Sequence, residues 1–201
     1  MLRLILIELD LDFDLSLKAN KQQVGKLLIK TFRQLNFTVK EKATDELFYV
    51  LKYEAPRNQR QYLKLSVISE WIKTNQYQTL FLPEINRYCQ CQTKETMFAN
   101  KLVALTDRFT KHQAIAGRDL YDIHHFFCQG FDFNKAIIKE RLNKNWSEYR
   151  QELNEFIKNK ITQKVIDEDL NYLLPAKEFK IIRNVLKNEV LTFLYKPKNS
   201  L

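Results

Sequence analysis

Three aspartates alternate with apolar residues near the start of the chain, in the segment 10–14 (D-L-D-F-D). Alternation with a period of two is typical of a β-strand, so Asp10, Asp12 and Asp14 should project from one face, with successive Cβ atoms roughly 6.5–7 Å apart. A divalent cation would relieve the repulsion between these carboxylates, because Mg²⁺ is usually held by one or two carboxylates plus substrate phosphates. The alternative is an acidic edge strand whose charges face solvent and prevent aggregation.

The segment 94–109 carries cations beside an apolar stripe. Its apolar residues recur at helical spacing, at Phe98, Leu102, Leu105 and Phe109. Lys101 and Arg108 share a neighbouring face of this predicted helix with Lys94. Such a helix can bury its apolar face and present the cations to a chain of phosphates. An ordinary solvated basic face explains the same pattern, and periodicity alone favours it.

A third segment, 118–122 (R-D-L-Y-D), is predicted to begin the next helix. Asp119 and Asp122 are three residues apart, so both carboxylates can point into one cleft. Acidic residues in a first turn also simply complement the helix dipole. His124 and His125 follow, but adjacent helical residues do not share a face, which argues against a two-histidine metal site. Asp122 and His125 could share one, although metal binding there is the less favoured interpretation.

Strands predominate in the first part of the chain and helices in the second. Alternating and β-branched runs predict strands at 2–8, 10–15, 37–40, 46–53, 61–69 and 79–82, with one helix at 17–35. Capping residues and helical periodicity predict helices at 93–108, 118–130, 133–142, 146–160, 162–173 and 177–195. We therefore predict an α+β fold, with a mixed or antiparallel sheet in residues 1–92 and a helical domain in residues 93–201.

Composition and charge narrow the class of protein. The 201 residues are 45% hydrophobic, which is enough for a buried core, and they contain no apolar run long enough to span a bilayer. No secretory signal is predicted, and three cysteines without zinc-like spacing predict reduced thiols in a cytoplasmic protein. The net charge of +9 fits a polyanionic partner, and we expect the cations to concentrate around the site or on the helices of residues 135–164.

The three segments together resemble the nucleotidyltransferase toxins of the AbiEii/AbiGii abortive-infection type. The matching segments are D-L-D-F-D-L at 10–15, A-x-K-L-x-A-L-x-x-R at 99–108 and R-D-L-Y-D at 118–122. They occur in the family's order, and the similarity covers most of residues 8–145. The resemblance implies a polymerase-β-like nucleotidyltransferase sheet domain, incomplete at its N-terminus, followed by a helical domain.

The resemblance also implies roles for individual residues. Asp10 and Asp12 match the carboxylates that hold Mg²⁺ or Mn²⁺ against a nucleoside triphosphate. Lys101 and Asp119 complete the catalytic set, while phosphate binding is assigned to Lys101, Arg108 and Arg118. Asp14 and Asp122 are further candidates. Convergence of Asp10, Asp12, Lys101 and Asp119 on one cleft is expected from this assignment.

The family resemblance further implies a macromolecular acceptor and a partner. The acceptor would be tRNA or another RNA, and the partner a winged-helix antitoxin. The sequence itself predicts no membrane partner, because it has no apolar run long enough to span a bilayer.

Two departures from the family pattern keep a second function open. The family has a G-G-[S/T] turn before its D-x-D strand, whereas the only glycines here are Gly25, Gly117 and Gly130. Ser66 stands in a strand where an acidic residue often completes a polymerase-type site. The first interpretation is a metal-dependent nucleotidyltransferase toxin. The alternative is an N-terminally truncated, non-catalytic remnant that retains RNA or antitoxin binding.

Overall fold

The chain forms two compact units that divide between Trp71 and Ile72. The computed structural model describes residues 10–56, 59 and 61–195. The first unit contains β1 (Asp10–Asp14), α1 (Lys21–Gln34), β2 (Thr38–Lys42), β3 (Leu47–Lys52) and β4 (Tyr62–Ile68). The strand predicted at 2–8 lies outside the described residues.

The four strands of the first unit form a mixed sheet in the order β1-β4-β3-β2. β1 runs parallel to β4, while β4 with β3 and β3 with β2 are antiparallel pairs. The odd-numbered side chains of the two central strands form a core with Phe32 of α1; they are Leu47, Tyr49, Leu51, Leu65 and Val67. The even-numbered side chains therefore project from the other face of the sheet.

Helix α1 begins later than its apolar pattern predicts. The apolar pattern predicts a start at residue 17, but the first helical residue is Lys21. Asn20 adopts an extended conformation and its side chain accepts a hydrogen bond from the backbone N–H of Gln23. This side chain satisfies an N–H that has no partner within the helix, so it fixes the start of the helix at this point.

The second unit consists of a hairpin followed by helices. The hairpin is β5 (Tyr77–Leu82) paired with β6 (Arg87–Gln92), and β6 was missed by the sequence analysis. The described helices are α2 (Lys94–His112), α3 (Gly117–Cys128), α4 (Lys135–Leu142), α5 (Trp146–Lys160), α6 (Gln163–Leu170) and α7 (Ala176–Tyr195). The predicted α+β class, with a mixed sheet and a helical C-terminal part, is confirmed.

The hairpin bears on the predicted domain boundary. That boundary, after residue 92, follows the change from strands to helices, which does occur between Gln92 and Lys94. The second compact unit, which begins at Ile72, contains the hairpin as well as the helices. Hydrogen bonds explain the grouping: the side-chain oxygen of Thr96 in α2 accepts from the N–H of Gln76, and Glu140 of α4 accepts from the N–H groups of Lys73 and Thr74.

None of the helices among the described residues is both long and apolar enough to span a membrane.

Candidate functional site

The acidic segment of the first unit is a strand, as predicted. In the parallel pairing of β1 with β4, Asp10 lies opposite Lys64 and Asp12 lies opposite Ser66. Partners in register share a sheet face, so these side chains project from the face opposite α1. β1 is an edge strand of the described sheet, so the edge-strand interpretation and the metal interpretation both fit its position.

Exposure differs among the three carboxylates. Asp10 and Asp14 are half-buried, while Asp12 is exposed. The apolar residues between them, Leu11 and Phe13, are 43% and 51% exposed. β1 therefore buries neither face completely, and Asp12 can be reached from solvent, while one carboxylate oxygen of Asp10 is buried.

The carboxylates of β1 fit a hard divalent cation. Asp10 and Asp12 offer only oxygen donors, from one face and at two-residue spacing, which is the ligand chemistry of Mg²⁺ and Mn²⁺. The residue directly across from Asp12 is Ser66, whose hydroxyl carries no charge. The protein would therefore supply two carboxylates on this pair of strands, and a triphosphate would have to complete the coordination shell.

Lys64 was missed by the sequence analysis as a neighbour of the acidic strand. It follows the same two-residue alternation in β4 as Ser66, and it occupies the register position opposite Asp10. A shallow depression on the same face of the sheet is lined by Lys64 together with Lys40, Glu41, Phe48, Val50 and Tyr62. The alternation in residues 63–67 indicates that Lys64 and Ser66 share a face of this strand. The sequence does not indicate that the strand pairs with β1, because the two strands are far apart along the chain.

The second and third segments meet in the second unit. The ammonium of Lys101 lies 2.7 Å from a carboxylate oxygen of Asp122 and 3.4 Å from one of Asp119. The other oxygen of Asp119 accepts a hydrogen bond from Nε of Arg108 at 3.1 Å. These four residues form what we call the cation cluster. Arg118, the third predicted phosphate ligand, lies half-buried in the first turn of α3.

Burial within the cation cluster is uneven. The side chain of Asp119 is 2% exposed, whereas those of Lys101 and Arg108 are 31% and 37% exposed. A buried carboxylate is stable only when it is paired and hydrogen-bonded, and here it bridges both cations. The two terminal nitrogens of the Arg108 guanidinium have no hydrogen-bond partner among the described residues. Asp119 thus holds two cations whose outer parts remain accessible to an anion.

Helix α2 is fixed from several sides. Its N-terminus is capped by Thr93, whose side chain accepts from the N–H of Thr96. The hydroxyl of the buried Tyr149 in α5 donates to the carbonyl of Leu102 at 2.6 Å, and Arg141 of α4 donates to Asp107 at 2.8 Å. Burial raises the pKa of Tyr149 far above its usual value, so this hydroxyl stays protonated. These contacts hold the backbone that carries Lys101 and Arg108.

Helix α3 begins where it does because another helix caps it. Its N-cap residue, Ala116, offers no side-chain hydrogen bond. Instead a carboxylate oxygen of Asp169 in α6 accepts from the N–H of Gly117 at 2.6 Å. A Cβ at Gly117 would lie 2.8 Å from the carbonyl oxygen of Val165, so only glycine permits this close approach. The cap and the glycine together fix the turn that carries Asp119 and Asp122.

Cations outnumber acids on the segment 135–164, by eight to four. Several are paired in the structure: Arg141 with Asp107, Lys144 with Glu152, Lys158 with Glu155 and Lys164 with Glu168. Lys160 lies over the ring of Phe109, 5.1 Å from its centroid. These ion pairs neutralise part of the positive charge of the segment. Its role in binding RNA stays a prediction.

The predicted site residues thus fall into two groups. Lys101, Arg108, Asp119 and Asp122 meet in the second unit, while Asp10 and Asp12 share a strand face in the first. The predicted convergence of the two groups on one cleft stays a prediction.

Comparison with known proteins gives one match. The sequence model of a family described as nucleotidyl transferase AbiEii toxin, of a type IV toxin–antitoxin system, matches residues 9–191. The match spans both units and every predicted site residue. No curated protein and no solved structure matches the chain.

Proposed function

This chain belongs to the AbiEii nucleotidyl transferase toxin family of type IV toxin–antitoxin systems, and from this premise we propose that it transfers a nucleotide from a nucleoside triphosphate to an RNA acceptor in a metal-dependent reaction. The observation that carries the proposal is the cation cluster, in which a buried carboxylate holds two accessible cations. The paired carboxylates on one face of β1 support it.

In this proposal the two acids of β1 hold the metal. Asp10 and Asp12 would bind Mg²⁺ or Mn²⁺ through carboxylate oxygens, the donors that both ions prefer. When bound, the ion neutralises charge on the triphosphate and favours in-line displacement of pyrophosphate at the α-phosphorus. Asp14, on the same face of the strand, is a further candidate ligand.

The cation cluster would bind the phosphates. Lys101 and the two outer nitrogens of Arg108 would donate to phosphate oxygens, because guanidinium and ammonium groups are the usual partners of these anions. Arg118, in the first turn of α3, would add a third cation. Asp119 is proposed as a positioning residue that acts through Lys101 and Arg108, and Asp122 as a second support for Lys101.

The acceptor and the partner are finer parts of the proposal. The basic segment 135–164 offers an RNA acceptor, tRNA included, a surface with a positive balance. Nucleoside triphosphates and RNA are both found in the cytoplasm, which is where we expect the reaction. We propose that a winged-helix antitoxin counteracts the toxin.

One observation favours a second candidate function. Ser66 lies opposite Asp12, at the place where a third carboxylate would face the same ion. A chain that lacked the charge needed for catalysis could still bind triphosphate or RNA. The second candidate is therefore a non-catalytic member of the family that retains binding.

Coupled binding of metal and nucleotide tests the metal assignment. We expect Mn²⁺ to bind the full chain weakly by itself and more tightly when a nucleoside triphosphate is present, because phosphate oxygens complete the coordination shell. Asp12→Asn should abolish this coupling, and Asp45→Asn, at an exposed aspartate of the same unit, should leave it unchanged. Calorimetric titration gives both affinities. Equal coupling in wild type and Asp12→Asn would contradict the assignment.

A further inference from the structure

A histidine, a cysteine and a glutamate meet between α3 and α7, and the proposed function uses none of them. His124 and Cys128 are one turn apart on α3, and Glu189 belongs to α7. Nε2 of His124 lies 2.5 Å from a carboxylate oxygen of Glu189 and 3.5 Å from Sγ of Cys128. All three potential ligand atoms lie within 4.8 Å of one another.

The chemistry of this donor set is specific. Imidazole nitrogen, thiolate sulfur and carboxylate oxygen together are ligands of Zn²⁺, whereas Mg²⁺ and Ca²⁺ select oxygen alone. With Zn–N near 2.0–2.1 Å and Zn–S near 2.3 Å, tetrahedral coordination places nitrogen and sulfur about 3.5 Å apart. Nε2 and Sγ already have this separation, but Sγ also lies 3.8 Å from Nδ1, so the thiol lies beside the ring and has to rotate toward the Nε2 side to share a cation with it.

We propose that His124, Cys128 and Glu189 form a binding site for Zn²⁺. His124 binds through Nε2 as a neutral imidazole, and Cys128 binds as a thiolate after its proton passes to solvent. Three protein ligands leave a fourth position for water, as in zinc sites that are not closed. A cleft of about 240 Å³ adjoins the cluster and is lined by both α3 ligands together with Tyr121, His125, Glu178, Ile181 and Ile182.

The surrounding structure holds His124 and leaves the other two ligands adjustable. His124 is 8% exposed, and its ring lies 6.1 Å from the ring of Phe193. The side chain of Glu189 is 48% exposed, so it can withdraw by the roughly 1 Å that exchanges its hydrogen bond with His124 for a shared cation. The carboxylate of Glu189 and the exposed thiol of Cys128 both have to move, while the buried ring of His124 stays in place.

A bound cation would join α7 to α3, the helix that carries two residues of the cation cluster. α3 carries Asp119 and Asp122 in its first turns, and α7 packs along α3. Linking Glu189 to His124 and Cys128 would resist separation of the two helices, so Zn²⁺ should raise the thermal stability of the chain. This inference does not rest on the proposed function, because it uses different residues and a different class of metal.

Cobalt is the probe that tests the site, because Co²⁺ replaces Zn²⁺ and reports thiolate coordination through a sulfur-to-metal absorption band. We expect the full-length chain to show this band, and Zn²⁺ to displace Co²⁺ and remove it. Cys128→Ser should abolish the band, while Cys89→Ser, at another free cysteine, should keep it. Glu189→Gln should weaken Co²⁺ binding by about tenfold or more, whereas Glu178→Gln on the same helix should not.

Further measurements separate this site from the proposed magnesium site. Asp12→Asn should retain the full cobalt band, and Zn²⁺ should raise the melting temperature of wild type but not of Cys128→Ser. No band in wild type, or an undiminished band in Cys128→Ser, would show that the three residues are only a hydrogen-bonded cluster and would overturn the proposal.

Discussion

At the scale of single residues, the most informative group is the carboxylate of Asp119. It is buried and contacts both Lys101 and Arg108, whose side chains reach solvent. A buried anion beside two half-exposed cations fixes their positions, and it contacts the Arg108 guanidinium through Nε alone, one of that group's five N–H donors. The carboxylate therefore serves the second unit in two ways: it stabilises the pairing of α2 with α3, and it orients the proposed phosphate ligands.

Replacing Asp119 and comparing it with a control aspartate distinguishes the loss of stability from the loss of phosphate binding. We expect Asp119→Asn to lower the free energy of unfolding by about 1–3 kcal/mol, because two cations lose a buried partner. It should also weaken triphosphate binding. Asp107→Asn is a matched control, because Asp107 of α2 pairs with Arg141 of α4 and Lys111 of α2 and belongs to no pair of the cluster. Denaturant unfolding and nucleotide titration measure both quantities. Equal losses of nucleotide affinity in the two variants would argue against the positioning role.

Ser66 provides a gain-of-function prediction. It lies opposite Asp12 in the register of β1 and β4, so an aspartate there would place a third carboxylate on the same face. We expect Ser66→Asp to tighten Mn²⁺ binding, because a third oxygen ligand adds charge to a site that otherwise relies on two. Thr44→Asp, at an exposed residue between β2 and β3, is the control for added charge alone. Equal Mn²⁺ affinities in the two variants would show that a carboxylate opposite Asp12 does not act as a metal ligand.

At the scale of elements, the start of α3 decides where the third segment points. The contact of Gly117 with α6 leaves no room for a side chain, and Asp169 supplies the cap that Ala116 cannot. The position of Asp119 therefore depends on a helix almost fifty residues later in the chain. A glycine near the predicted helix start is visible in the sequence, but the reason for it is a tertiary contact.

We expect Gly117→Ala to lower the free energy of unfolding by about 1–3 kcal/mol, because its Cβ would meet a backbone carbonyl that cannot rotate away. Gly25→Ala is the comparison within α1: its Cβ would meet only the tip of the Leu47 side chain, at 3.0 Å. That change should cost less, since a side chain can move and alanine favours helix. Thermal unfolding ranks the two variants. A smaller loss for Gly117→Ala than for Gly25→Ala would contradict this account.

Sequence patterns predicted the elements that have strong local signals. The alternation at 10–14 and the apolar period of α5 gave both elements closely, and Thr93 correctly marked the start of α2. β6 was missed because its segment, R-Y-C-Q-C-Q, carries little apolar alternation. Its strand character comes from pairing with β5, which a local pattern does not report.

The site was predictable to the same extent. Helical spacing placed Lys101 near Arg108, and the i, i+3 spacing placed Asp119 near Asp122, but spacing could not indicate that these two pairs contact each other. The contact depends on how α2 packs against α3. The sequence likewise places His124 and Cys128 one turn apart on a predicted helix. It does not associate Glu189 with them, because Glu189 lies sixty-one residues after Cys128 and meets them only through helix packing.

At the scale of the whole molecule, the family match extends over both compact units. The acidic strand belongs to the first unit and the cation cluster to the second, so the proposed reaction requires the full chain. A variant in either unit should therefore impair transfer, even though each unit has its own core. We propose that these residues serve one chemical step, the transfer of a nucleotide to RNA.

The most direct test is transfer of label from a nucleoside triphosphate labelled at the α-phosphate to RNA, with Mg²⁺ or Mn²⁺ present. We expect labelled RNA with wild type and with Asp45→Asn, and none with Asp12→Asn or when the metal is removed by chelation. Each of the four nucleotides is assayed separately, with tRNA and total RNA as acceptors. No labelled RNA from wild type under any of these conditions, or undiminished labelling by Asp12→Asn, would contradict the account.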